Sequence, residues 1–396
     1  MSSGPRILLI AERFPPDLGG LARSGARTAG SLARLGAQVD VLTWTRTLSP
    51  GALQTLDAGE VATTARGVTL HRLGLFGQMD TSLQHTLDVL AFLHARHRYQ
   101  LVWGHYLSPP GFMAVTFAEL AGLPSTVSAR GNDVDQALFP PGDFARLLWT
   151  LQRATVLTAA SGDLARKMVM LLGKDPGVEV IPNAVDTDLF HPGPADPALR
   201  QRLGIQPDEL VLGFSGELRH KKGVPFLLTA LSEVRKVRRA CLLIIGEVRA
   251  REQEHLTVFR TEHPEDAARI LVSGRLDAPA DVAAHLRLCD VYLQPSLWDG
   301  MPNALLEAMA CARVVIASDA GGIPEAINSG HNGYLVPKAL LNHLGQAIID
   351  VLSLSEERKA ALGAAARARI EERFQAQAEA SVLQRVLERT IPKASS

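Results

Sequence analysis

The stretch from Gln294 to Cys311, QPSLWDGMPNALLEAMAC, constrains the fold more than any other part of the chain. It follows an apolar run ending at Leu293 that suits a buried strand, and it carries Asp299 and Gly300 in a loop before a helical segment. Pro302 fits the helix opening, where its missing N–H costs nothing. The first N–H groups of such a helix face the loop, and together with the helix dipole they make an anion site. Phosphate is the anion that most often uses one.

Glu307 narrows the chemistry. It is the one ionisable residue in Ala304–Ala310, a segment apolar on nearly every face and therefore a buried helix. A carboxylate taken out of water must be paired, hydrogen-bonded or facing a cleft. A buried ion pair or a protonated acid would satisfy that condition without any function; an acceptor for ligand hydroxyls is the functional alternative. Asp299 and Glu307 together could bracket a ligand that carries both hydroxyls and phosphates.

Asp299-Gly300-x-Pro302 followed by Glu307-Ala308-Met309-Ala310 resembles the paired-acid signature of the retaining glycosyltransferases of family four, which have the two-domain GT-B fold. Further matching pieces occur in the expected order over almost the whole chain. The resemblance implies that Asp299 contacts a donor sugar, that Glu307 contacts the ribose of its nucleotide, and that Gly300, Met301, Pro302 and Asn303 complete the donor site. The family most often has Glu where this chain has Asp299.

Length and composition agree with two folded domains. A chain of 396 residues exceeds the size at which one core keeps growing. A hydrophobic content of 46%, with Gly and Pro spread along the chain, is that of an ordinary α/β protein. The 41 basic and 41 acidic residues balance, and residues 1–190 hold 16 of each, so neither half is a basic partner for nucleic acid. Cys241, Cys289 and Cys311 lie in or beside apolar segments without metal-ligand spacing and read as buried, reduced thiols. No apolar run is long enough to span a bilayer, and the chain reaches Arg6–Ile10 without signal-peptide anatomy; a cytoplasmic protein is expected, with peripheral membrane contact left open.

In the first half, short strands alternate with helical segments, which predicts a parallel sheet covered on both faces. Gly19 and Gly20 close the loop after the first strand and suggest a phosphate-contacting turn, although Gly-Gly also makes ordinary turns. His105 ends the strand Leu101–His105, at the edge where open α/β sheets bind ligands. A lone histidine is usually structural; the resemblance implies a contact to the donor sugar's hydroxyls. The loop Arg130, Gly131, Asn132, Asp133 is similar to a family loop that lines the cleft between donor and acceptor. Asp133-Val134-Asp135 and Asp186-Thr187-Asp188 admit a divalent-metal reading, but both precede helical segments where Asp serves as a cap. No metal site is expected. The family commonly has Gly at Ala184, and Ala would be strained there if positive φ were required.

The Pro- and Gly-rich segment His191–Pro197 is the expected hinge between an acceptor-binding domain, residues 1–190, and a nucleotide-sugar-binding domain, residues 191–374. The segment Ser215–Gly223 resembles the family's Gly-Arg-Leu and Lys-Gly motif, with Glu217 where Arg is common. Arg219 and Lys222 are then the cations that stabilise a departing diphosphate without metal. Gly321–Glu325 is similar to a motif that shapes the donor pocket. By resemblance, the final amphipathic segment Glu371–Leu387 returns to the first domain, so a helix at about 375–392 joins it. Pro392–Ser396 are expected to be disordered.

These features imply two Rossmann-like domains facing each other across a cleft. They imply a retaining, metal-independent hexosyltransferase with a UDP- or GDP-sugar donor, no other cofactor, and a carbohydrate, lipid-linked or small-molecule acceptor. An epimerase of the same fold and a silent nucleotide-sugar-binding protein are the alternatives.

Overall fold

The computed structural model describes residues 4–391 apart from Leu18, Asn132 and Ala137. Pro392–Ser396 thus lie outside the described residues. The chain packs as two units, residues 1–183 with 376–396 and residues 184–375, so the segment His191–Pro197 falls inside the second unit.

The first unit holds eight strands: β1 (Arg6–Ala11), β2 (Gln38–Thr45), β3 (Leu53–Asp57), β4 (Val68–Gly74), β5 (Leu101–His105), β6 (Ser125–Ala129), β7 (Val156–Ala159) and β8 (Glu179–Val180). Their order is β3-β4-β2-β1-β5-β6-β7-β8, parallel throughout except for β3, which runs antiparallel to β4 at the edge. Strand β1 shows why the sheet is covered twice. Ile7, Leu9 and Ala11 pack into one core cluster while Leu8 and Ile10 pack into another, all with no exposed surface. A strand buried on both faces reads as a continuous apolar run.

The second unit holds β9 (Leu210–Ser215), β10 (Ala240–Ile245), β11 (Ile270–Val272), β12 (Val291–Gln294), β13 (Val314–Ser318) and β14 (Tyr334–Val336), in the order β11-β10-β9-β12-β13-β14 and all parallel. Strand β10 divides in the same way, with Cys241, Leu243 and Ile245 on one face and Ala240, Leu242 and Ile244 on the other. The three cysteines are buried and free, and burial pushes the Cys311 thiol up to about 11.

One element differs from the sequence reading. Strand β3 lies in what reads as a polar connection, because its residues are mostly exposed and give no apolar signal. The helix expected at about 375–392 is Ala376–Thr390 and packs in the first unit, while its starting residues Glu371–Arg373 end the preceding helix Glu356–Arg373 of the second unit, with neither Pro nor Gly at the break. There the Val185 N–H donates to the Phe374 carbonyl at 2.8 Å. Ala184 is not among the residues with positive φ, so its side chain causes no strain.

Candidate active site

Each sheet builds outward from its first strand, then returns to build on the other side. The connections leaving β9 and β12 therefore diverge in the second unit, as do those leaving β1 and β5 in the first. A crevice opens at such a point in any doubly wound sheet. The singled-out residues that follow β1, β5, β9 and β12 fall at these two places.

In the second unit, β9 leads through a turn at His220–Lys222 into the helix Val224–Arg235. Gly223 joins them at φ +74°, and a Cβ there would lie 2.1 Å from the Pro295 carbonyl oxygen. Only glycine lets the basic turn lie this close to the loop after β12. The Leu297 N–H fastens the two by donating to the Lys221 carbonyl at 2.8 Å. On the other side, a Cβ on Gly321 (φ +53°) would lie 1.7 Å from the Asp299 carbonyl oxygen, and the Gly322 N–H donates to the Gly300 carbonyl at 2.7 Å. Asp299 and Gly300 are thus gripped between the connections that follow β9 and β13.

Lys222 Nζ donates to Asp299 Oδ2, and Lys221 Nζ stands 4.0 Å from Oδ1. Burial pushes the Asp299 carboxyl up, but Lys222, Lys221 and the Gly300 N–H outweigh it and hold it below the usual carboxylate range. A polar chain supports the same carboxylate from within. The Tyr292 hydroxyl donates to Gln294 Oε1 at 2.8 Å, Gln294 Nε2 to Ser296 Oγ at 2.9 Å, and the Ser296 hydroxyl to Asp299 Oδ2 at 3.4 Å.

The helix Asn303–Ala310 opens after Pro302, and no side chain caps it. Met301 and Pro302 are buried, and Asn303 Oδ1 is buried without a hydrogen-bond partner among the described residues. Glu307 is 6% exposed. Burial first, and then the charge of Glu307, push the Tyr292 phenol far up, which sets the acid beside β12. Arg219 is directed elsewhere: its Nη2 lies 2.6 Å from Glu217, which also accepts from Arg249. Lys222, and not Arg219, is the cation brought to Asp299.

In the first unit, Gly19 (φ +108°) caps the helix Gly20–Arg34, whose small residues pack beside His105. His105 is buried, with Nε2 3.2 Å from Ser24 Oγ and Nδ1 lacking a hydrogen-bond partner among the described residues. Burial, then the charges of Arg130 and Arg27, hold its pKa well below the ordinary value, so the ring is neutral. Arg130 Nη2 donates to Ser24 Oγ at 3.0 Å and to Asn183 Oδ1 at 2.6 Å. Ser24 Oγ accepts from Arg130 and can pair with His105 Nε2 in either neutral tautomer of the ring. Burial and Arg27 bring the Arg130 guanidinium down to about 10.

Asp133 accepts the N–H groups of Leu107, Arg130 and Gly131 at 3.1–3.2 Å, and Asp186 Oδ1 accepts those of Asp188 and Leu189 at 3.1 Å. Asp186 caps the turn that follows it, whereas Asp133 ties the loop before it to the distant Leu107. Asn132 lies outside the described residues.

Several residues around these crevices escape a sequence reading. Arg27 Nε donates to both oxygens of Glu379, at 3.1 and 3.0 Å, and its Nη2 to Asn183 Oδ1 at 3.2 Å. Glu379 has no exposed surface. It sits three, four and seven residues before Val382, Leu383 and Val386 on the buried face of its helix, and that spacing was the available signal.

Residues 209–353 match the family described as glycosyl transferases group 1, and residues 19–184 match the glycosyl transferase 4-like domain. The chain is 29% identical over 377 residues to a GDP-mannose-dependent alpha-(1-6)-phosphatidylinositol monomannoside mannosyltransferase of Mycobacterium tuberculosis, covering 91% of this chain and 92% of the relative. It is 28% identical over 407 residues to a D-inositol 3-phosphate glycosyltransferase of Kineococcus radiotolerans, covering 93% and 92%. The structure of Anabaena HepE in complex with UDP-glucose superposes with a TM-score of 0.77 at 19% identity, over 96% of this chain and 99% of that one. The two family matches together take in most of the chain, in the order of its two sheets, and the chain belongs to the family-four glycosyltransferases of the GT-B fold.

Proposed function

We propose that this glycosyltransferase moves a hexosyl group from a GDP- or UDP-sugar to an acceptor hydroxyl, with retention at the anomeric carbon and without a metal ion. The observation that carries this reading is the Lys222–Asp299 pair at the divergence of β9 and β12, beside the start of the helix Asn303–Ala310. A diphosphate leaving group gains negative charge as the glycosidic bond breaks. A fixed ammonium and a helix N-terminus meet that charge directly, a type of stabilisation worth about 10²–10³ in rate.

The other groups take roles that suit their chemistry. Asp299, held ionised, is a weak base and suits a hydrogen bond from a sugar hydroxyl. His105, neutral and with Nδ1 unpartnered among the described residues, suits a hydrogen bond with another hydroxyl. Glu307 accepts from the ribose hydroxyls. In a front-face route the leaving phosphate takes the acceptor's proton on the side it departs from, and no protein base is needed. The donor is supported by relatives named for GDP-mannose and by a structural neighbour holding UDP-glucose. The relatives' names also favour a polyol or lipid-linked polyol acceptor. No helix among the described residues is long and apolar enough to cross a membrane, so a lipid-linked acceptor would be reached by surface contact.

Incubation of UDP-, GDP-, ADP- and dTDP-sugars with a panel of polyol, saccharide and lipid-linked acceptors, followed by NMR of the product, tests this. Transfer with retained anomeric configuration, undiminished in excess EDTA, is expected. Conversion of a donor without any acceptor would instead indicate an epimerase, and donor binding without turnover a silent binding protein. Loss of transfer in EDTA, restored by Mg²⁺ or Mn²⁺, would overturn the metal-free reading.

A further inference from the structure

Three residues of the second unit converge beside the turn that carries Lys222 and take no part in the chemistry above. His220 belongs to the turn itself, Glu252 ends the short turn Ala250–Glu252, and His255 lies in the first turn of the helix Gln253–Glu262. One ligand atom from each lies within 4.8 Å of the others. Both imidazoles are exposed and lie nearly parallel, with ring centroids 6.4 Å apart. Glu252 is 3% exposed. Its Oε1 accepts the His220 backbone N–H at 2.8 Å, which accounts for one oxygen. Its Oε2 is buried with no hydrogen-bond partner among the described residues, and His255 Nε2 stands 3.8 Å away. A buried carboxylate oxygen left without a donor costs stability unless something fills the position.

We propose that His220, Glu252 and His255 bind a divalent transition-metal ion of the Zn²⁺ class. Two imidazoles and one carboxylate form a donor set for Zn²⁺, Co²⁺ or Ni²⁺, whereas Mg²⁺ and Ca²⁺ take oxygen ligands. Bond lengths of about 2.0–2.2 Å place tetrahedral ligand atoms roughly 3.3 Å apart. The present spread closes to that value through side-chain rotation of two exposed histidines. The neighbouring cations do not stand against an ion here with full charge, because Arg219 is paired with Glu217, and Lys221 and Lys222 face Asp299. The bound ion ties the His220–Lys222 turn to the helix Gln253–Glu262, with an open fourth position for water. It braces the turn and does not enter the transfer chemistry, so the proposal stands whether or not the donor reading holds.

The test uses the full chain stripped of metal. Competition with a chromophoric chelator reads Zn²⁺ affinity and stoichiometry, visible absorption of Co²⁺ reads the ligand field, and a thermal melt reads stabilisation by mass action. Wild type is expected to bind one Zn²⁺ at micromolar free ion and to melt higher when loaded. His255→Ala and His220→Ala, both at exposed positions, should each lower the affinity at least about tenfold while keeping the metal-free melting temperature, and Glu252→Gln should abolish the Co²⁺ spectrum. Absence of Zn²⁺ binding to wild type at micromolar free ion would overturn the proposal. So would unchanged affinity in both histidine variants, since any bound ion would then lie elsewhere.

Discussion

The two crevices occupy the same position in their sheets yet are built on opposite principles. At the β1/β5 edge each charge is shared among several partners, Arg27 with Glu379 and Asn183, Arg130 with Ser24, Asn183 and the Ile181 carbonyl; Arg130 and Glu379 are buried, and the Arg27 side chain is 15% exposed. At the β9/β12 edge Lys222 and Asp299 meet on loops, with side chains 15% and 12% exposed. Each partner of a buried network is costly to remove, so such a network fixes geometry. A cation paired with one loop carboxylate, as Lys222 is with Asp299, can instead exchange it for a ligand phosphate. The first edge is made to hold a shape, and the second to trade partners.

The largest expected effect lies at the first edge. Glu379→Ala removes the counter-charge of Arg27, whose side chain is 15% exposed, and of the buried Arg130 beside it, and should destabilise the first unit by about 3–5 kcal/mol, read from denaturant unfolding. The paired change Arg27→Met with Glu379→Leu should recover most of that loss. An unchanged midpoint in Glu379→Ala would break the comparison. At the second edge the signs reverse: Lys222→Ala should leave the unfolding midpoint nearly in place while turnover falls about 10²–10³-fold. Glu307→Ala should keep the fold and raise the KM for donor by about 10–100-fold, as for a lost charged hydrogen bond worth roughly 1.5–3 kcal/mol. Wild-type KM and turnover in that variant would remove Glu307 from the donor site.

The smallest effect is the response to acid. His105 has a folded pKa well below the free value of about 6.5, because burial and two arginines disfavour its cation. The unfolded chain therefore takes up the proton first. The stability His105 contributes is complete above about pH 6.5 and declines as pH falls below it, by up to about 1.4 kcal/mol per unit. In His105→Gln this one-proton slope should vanish from unfolding curves collected between pH 7.5 and 5. Asp299 differs: its folded pKa lies below the free value of about 3.9, so its contribution is lost only at more acidic pH. An equal slope in wild type and His105→Gln would show that the ring is not held neutral.

The parallel sheets were legible because buried strands such as β1 and β10 are continuous apolar runs. Strand β3 was not, since an exposed edge strand carries no such run. At the site, Glu307 stood out as an acid alone in an apolar helix and Asp299 as the acid of the loop before it, while Lys222 was picked out by resemblance to a family motif. The Arg27–Glu379 pair joins residues 352 positions apart, and its arginine sits in a helix of small residues that gives no hint of a partner. Whether Arg219 or Lys222 meets Asp299 also depended on tertiary placement, because the competing carboxylate of Glu217 captures Arg219.

The most direct measurement is calorimetric titration of GDP and UDP into wild type and Lys222→Ala. Wild type is expected to bind at least one of the two nucleotides. The variant should bind it at least about tenfold more weakly, in keeping with a lost charged hydrogen bond. Equal affinities in the two proteins would contradict a diphosphate seated on Lys222 at the β9/β12 edge.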